Sequence, residues 1–114
     1  MPTPSLELLR GTLDLLILKA LARQPLHGYG VIKWIEEATG QALAIEEGSL
    51  YPALYRLEDR GWLESDWGVS ANNRKAKYYR LTAKGRAQLR VEVRDFTAFT
   101  QAVFRAIASS GAAP

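Results

Sequence analysis

Across residues 6–22 apolar side chains recur at 6, 9, 13, 16, 17, 20 and 21, the spacing of one face of an α-helix. A second apolar set, Leu8, Leu15, Leu18 and Ala22, falls off that face. A helix apolar on more than one side must be covered on more than one side, so a second subunit is expected over it. Gln24-Pro25-Leu26 stops the helix, because proline has no amide donor and biases its predecessor away from helical dihedrals. The next helix is expected from His27 or Gly28 to Ala38, with Val31, Ile32, Trp34 and Ile35 facing the core and Gly40 ending it. A short extended piece, 42–45, follows. Ser49 is expected to cap a third helix, which sets Pro52 in its first turn, where a missing N–H forfeits no intrahelical bond. Leu50, Leu54 and Leu57 make its buried stripe and Gly61 its end, leaving Tyr51, Pro52, Tyr55 and Arg56 to face elsewhere.

After Gly61 the period changes. Leu63, Ser65, Trp67 and Val69 alternate with Glu64, Asp66, Gly68 and Ser70, the pattern of a half-buried strand. Ala71-Asn72-Asn73-Arg74 is turn chemistry, since Asn tolerates left-handed dihedrals. Residues 75–81 return as a second strand, with Tyr79 and Leu81 in the core. Thr82 then caps a last helix of about 27 residues, roughly 40 Å long. Along it Leu89, Val93, Phe96, Thr100, Val103 and Ile107 step by four and three alternately, a heptad seam that Phe99 and Phe104 widen. So long a helix cannot bury that stripe within one small subunit, and each large side chain left in water forgoes roughly 1.5 to 3 kcal/mol. A dimer is expected, with Leu8 and Leu15 of the first helix joining the seam.

Charge sharpens the picture. Residues 1–66 hold ten acids and six bases, a balance of −4, whereas residues 67–114 hold nine bases and two acids, a balance of +7. From 67 to 90 there are seven bases and no acid. Such clustering fits a polyanion, because each Lys or Arg that neutralises a phosphate releases condensed counterions; it also fits a solvated face serving solubility. The chain has no cysteine and one histidine, which removes thiolate chemistry, disulfides and every two-histidine metal motif. Glu36-Glu37 and Glu46-Glu47 are adjacent pairs that point apart on regular elements, so no catalytic site, metal or cofactor is expected. The longest uninterrupted apolar runs are four residues, too short for a membrane span. The first residues lack a signal-peptide pattern, which makes cytoplasm the default expectation.

Three helices, a basic hairpin and a long final helix amount to an α+β, mostly α, winged helix-turn-helix with a C-terminal dimerisation helix. The expected division is a winged-helix unit at 1–82, a dimerisation helix at 83–109 and a flexible tail at 110–114. In this arrangement the third helix enters the DNA major groove and the hairpin lies beside it, against phosphate or minor groove.

Several segments carry a resemblance, in order: Leu9-Arg10-Gly11-Thr12-Leu13-Asp14-Leu15-Leu16-Ile17-Leu18; His27-Gly28-Tyr29-Gly30; Gly48-Ser49-Leu50-Tyr51-Pro52-Ala53-Leu54-Tyr55-Arg56-Leu57-Glu58 through Gly61-Trp62-Leu63; and Arg74-Lys75-Ala76-Lys77-Tyr78-Tyr79-Arg80-Leu81-Thr82-Ala83-Lys84-Gly85. Together they closely resemble the PadR family of bacterial transcriptional regulators, over about residues 6–86. The resemblance implies a DNA-binding homodimer that usually represses its target. With one helix after the hairpin, the chain looks like the short subfamily.

On these grounds the candidate contacts to double-stranded DNA are Tyr29, Lys33, Ser49, Tyr51, Pro52, Tyr55, Arg56, Asn73, Arg74, Lys75 and Lys77. The candidate dimer contacts are Leu8, Leu15, Leu89, Val93, Phe96, Phe99, Thr100, Val103 and Ile107. His27 reads as a helix-start device, and Lys84 and Arg86 as phosphate contacts or bulk charge. Some relatives bind flat aromatic effectors, so a small aromatic ligand between the first and last helices is a further candidate partner, although ordinary interface packing explains the same side chains. The competing class is a winged-helix module whose basic hairpin docks an acidic protein.

Overall fold

Helix α1 (Leu6–Ala20) leads through a two-residue strand β1 (Leu26–His27) into α2 (Gly28–Ala38) and α3 (Glu47–Asp59); a hairpin of β2 (Leu63–Val69) and β3 (Lys75–Leu81) then runs into α4 (Ala83–Ala108). This computed structural model describes residues 6–110, with side chains from Gly11 onward. The sheet is antiparallel with order β1-β3-β2. Its core-facing end closes against the helices: Leu13, Ile17 and Leu21 of the first segment pack with Val31, Ile35, Leu50, Leu54, Leu57, Leu63, Tyr79 and Leu81.

The helix ends follow local chemistry. Helix α1 stops at Ala20, two residues short of the expected end, and the N–H groups of Leu21 and Ala22 donate to Ile17 and Lys19 carbonyls as the last turn tightens ahead of Pro25. His27 caps α2 with Nδ1, which accepts the Gly30 N–H at 2.9 Å. At the other end Gly40, with φ of 59°, donates to Glu37 while Gln41 donates to Glu36, the paired bonds of a Schellman motif. Helix α3 ends the same way, through Gly61 (φ 79°) to Glu58 and Trp62 to Leu57.

Four expectations need correction. First, α1 is packed by α2, α3 and α4 together, so Leu18 of the off-face set is fully buried by its own chain and Leu15 is half-buried. Leu18 therefore needs no second subunit, whereas Leu15 keeps open surface; the Leu8 side chain lies outside the described residues. Second, 42–45 has no regular secondary structure, and a strand the periodicity did not offer, Leu26–His27, pairs with β3 and is too short to show a period. Third, α3 begins at Glu47 behind an N-cap Glu46 that makes no side-chain bond, so Ser49 is the third helical residue and Pro52 sits in the second turn. There Pro52 withholds the N–H that would reach the Gly48 carbonyl. The defect is tolerable because Gly48 is exposed and water can serve its carbonyl. Fourth, only the first part of the β2 face is covered: Leu63 is buried, yet Trp67 and Val69 are each about two-thirds exposed because the hairpin runs past the helices.

The hairpin ladder runs from Leu63 opposite Leu81 to Val69 opposite Lys75, so Ser65/Tyr79, Trp67/Lys77 and Val69/Lys75 share one face. Asn73 takes the left-handed conformation at the tip (φ 59°), as its side chain permits. Thr82 caps α4, accepting the Gly85 N–H at 3.0 Å. At 26 residues α4 is about 39 Å long, and it dominates the 61 Å long axis of the chain. Leu89 tucks against the core, whereas Val93, Phe96, Phe99, Val103, Phe104 and Ile107 are exposed. The Thr100 hydroxyl donates within its own helix, to Phe96 and Thr97 carbonyls. Ser110 is exposed, and residues 111–114 lie outside the described residues.

Candidate functional site

Helix α3 and the β2–β3 hairpin form two walls of an open groove of about 770 Å³, and the start of α2 closes one end. Helix α2 supplies Tyr29 and Lys33, α3 supplies Tyr51 and Tyr55, and the hairpin supplies Trp67, Asn72, Arg74, Lys75 and Lys77. No acidic residue is among those lining it. The side chains alternate in kind: the Lys75 ammonium lies 5.5 Å from the Trp67 ring centre, and that of Lys77 lies 5.9 Å from the rings of both Tyr55 and Tyr79. Tyr29, Tyr55 and Trp67 are each more than three-fifths exposed.

Local structure explains why these groups converge. The His27 cap starts α2 so that Tyr29 and Lys33, four apart, rise from one face toward the groove. Residues Tyr51 and Tyr55 are likewise one turn apart on α3, opposite the Leu50, Leu54 and Leu57 stripe. Glycine at 28 makes room for Tyr51, since a methyl there would run into the Tyr51 hydroxyl and ring and push them aside. Burial pushes the Tyr51 phenol above its ordinary pKa, helped by nearby Glu47. Burial does the same for Tyr79, helped by Glu58. Both hydroxyls therefore stay protonated at neutral pH and can donate.

Of the residues singled out from sequence, Tyr29, Lys33, Tyr51, Tyr55, Arg74, Lys75 and Lys77 meet in the groove. Ser49, Pro52, Arg56 and Asn73 do not line it. Arg56 turns to α1, where its Nη2 stands 2.5 Å from Asp14 Oδ1. Lys84 and Arg86 brace the scaffold: they donate to the carbonyls of Arg60 and Ala22 at the ends of α3 and α1. Sequence reasoning missed Trp67, taken for a half-buried strand position, although its place opposite Lys77 follows from the hairpin register. It also missed Glu58, which accepts a hydrogen bond from Ser65 and faces Lys77.

A second feature lies away from the groove. Beyond Leu89 the α4 stripe carries four residues of the predicted seam, Val93, Phe96, Val103 and Ile107, together with Phe99 and Phe104, all open to solvent in the single chain.

Helices α1 to α3 followed by a hairpin that stands beside α3 define a winged helix-turn-helix protein. The chain belongs to the PadR-like family of transcriptional regulators, whose model matches residues 17–91. The family is one of regulators and not of enzymes. Among relatives, the transcriptional regulator Rv3488 of Mycobacterium tuberculosis is 36% identical over 84 residues, 73% of this chain and 74% of that protein. A PadR family regulator from Eggerthella lenta superposes with a TM-score of 0.76 at 34% identity, covering 92% of this chain and 89% of the other. Bacillus subtilis PadR in complex with operator DNA superposes with a TM-score of 0.64 at 27% identity, over 72% of this chain and 47% of that one. No described helix is long and apolar enough to cross a membrane.

Proposed function

We propose that this regulator binds double-stranded DNA as a homodimer on an inverted repeat and represses transcription by occupying a promoter. The observation that carries this reading is the acid-free groove between α3 and the hairpin, with Lys33, Arg74, Lys75 and Lys77 set among tyrosines and Trp67. A groove of this composition suits a duplex edge: ammonium and guanidinium groups on phosphates, tyrosine hydroxyls and ring faces on sugars and base edges. Tyr51 and Tyr55 are assigned to the major groove, and Arg74, Lys75 and Lys77 to phosphates beside it. Ser49 and Pro52, on the exposed first turns of α3, and Asn73 at the hairpin tip flank the same path. Arg56 reaches DNA only by leaving Asp14. The apolar stripe of α4 supports pairing with a second copy, which would set two α3 helices about 34 Å apart on successive turns of the duplex.

The test is a gel-shift and anisotropy series with DNA from upstream of the protein's own gene. Specific binding is expected to weaken steeply with salt, and Lys75→Ala to lower the salt slope by about two, one phosphate contact in each subunit. Tyr51→Ala should change sequence preference as well as affinity. Salt-independent binding, or none, would overturn the reading.

A further inference from the structure

Resting on that DNA-binding reading, we infer that Glu58 is the positioning residue of the interface: one carboxylate of α3 ties the base-reading helix to both strands of the hairpin. Its Oε2 accepts the Ser65 hydroxyl of β2 at 2.6 Å, and its Oε1 lies 4.0 Å from the Lys77 ammonium of β3. Both partners stand on the groove face, in neighbouring positions of the ladder. Lys77 is held from the same helix a second time, over the ring of Tyr55 three residues before Glu58.

An acid here works against the site's own chemistry. It partly neutralises one of the groove's ammonium groups, it sits in the last turn of a helix where the macrodipole disfavours negative charge, and it approaches a surface meant for phosphate. Such a placement needs an offsetting role. Leu63, Tyr79 and Leu81 anchor the base of the hairpin and β1 pairs with it at Tyr78 and Tyr79; beyond that point the hairpin leaves the core, as the exposure of Trp67 and Val69 shows, so side-chain ties at the edge of the core set the angle of its outer half to α3. Sequence choice requires the base-reading side chains and the phosphate-holding ones to arrive together, and preorganisation lowers the ordering cost of that arrival. The Glu58 bridge supplies it.

The experiment compares full-length wild type with Glu58→Gln, Glu58→Ala and Ser65→Ala. Anisotropy is read across a salt series on the duplex that wild type enriches from a randomised pool, and on a scrambled duplex of the same composition. In Glu58→Gln the amide oxygen still accepts from Ser65 while Lys77 is released, so affinity for both duplexes should rise together. The salt slope should steepen by about 1.8 on the paired site, one freed Lys77 in each subunit, with the preference intact. In Glu58→Ala and Ser65→Ala the preference for the selected duplex should fall about tenfold, the scale of one charge-assisted hydrogen bond. Ser65→Ala should do so without altering the salt slope. Thermal melts establish that each variant is folded; Ser65 is outside the apolar core, so its variant keeps the test open if Glu58→Ala fails to fold. Preference retained in Ser65→Ala, or lost in Glu58→Gln, overturns the tether while leaving DNA binding standing. If wild type enriches no duplex, the DNA-binding reading falls and takes the tether with it.

Discussion

Tyr51 owes its place in the groove to what is missing from Gly28. The phenol ring covers the Gly28 α-carbon so closely that a methyl would overlap its hydroxyl and ring carbons. Alanine would otherwise be the better helix former by about 1 kcal/mol, so Gly28→Ala separates the two effects. It should lower stability by about 1 to 3 kcal/mol, as overpacking does, in denaturant titrations. Adding Tyr51→Ala should recover most of that loss, and an additive double mutant would show that the contact is not the cause. Glu92 on α4 makes a different kind of residue-level prediction. One of its carboxylate oxygens is buried without a hydrogen-bond partner, and burial first, then the neighbouring Asp14, raises its pKa above 4.5. A carboxyl whose folded pKa lies above its unfolded value stabilises while protonated and loses that contribution as pH rises through the folded pKa. Glu92→Gln should therefore raise the unfolding midpoint at neutral pH and leave it nearly unchanged well below pH 4.5, which melts across pH would reveal. Neither feature was legible beforehand, because a close approach between residues 28 and 51, or between 14 and 92, has no local periodicity to betray it.

At the scale of elements the sequence was most readable where chemistry is local. The Thr82 cap, the glycines after α2 and α3, the left-handed Asn73 and both hairpin strands all follow from neighbours within a few positions. Reading failed where tertiary contact decides. The N-cap of α3 shifted from Ser49 to Glu46, since burying Leu50 and Ala53 outweighs an ideal cap and an ideal place for Pro52. Strand β1 exists only because β3 is beside it. The junction between hairpin and α4 shows the same dependence. Thr82 donates its N–H to the Trp62 carbonyl at 3.1 Å, and Gly85 lies so close to that carbonyl that a β-carbon would overlap it. A backbone carbonyl held by the Thr82 N–H cannot step aside as a side-chain tip can. Gly85→Ala should therefore destabilise by about 3 kcal/mol or more despite its helical position, well beyond the roughly 1 kcal/mol expected when Thr82→Ala removes the cap. Equal losses in the two variants by denaturant melts would mean that α4 relaxes around the added methyl.

At the scale of the whole molecule, the chain divides its apolar surface between a filled core and an unfilled stripe. Every large aliphatic of α2 and α3 that the periodicity assigned to the core is buried or packed against it, yet α4 beyond Leu89 leaves Val93, Phe96, Phe99, Val103, Phe104 and Ile107 in water. Val93, Phe96 and Val103 are already partly covered, so what a facing copy would recover is, for each, a fraction of the roughly 1.5 to 3 kcal/mol of full burial, and none is needed by the core below. This separation gives the proposed dimer a clean test. Phe96→Glu and Val103→Glu place charge in the seam without touching the groove or the core, so each subunit should keep its fold while sedimentation shows a monomer. Two linked reading heads bind with an effective concentration that a single head lacks; affinity for an inverted repeat should then drop about a hundredfold or more, while affinity for a half-site stays near that of one wild-type head. The salt slope should roughly halve on the full site, because half the phosphate contacts are gone. Variants that remain dimeric, or monomers that hold the inverted repeat as tightly as wild type, would move the pairing surface off α4 and leave its exposed stripe without an occupant.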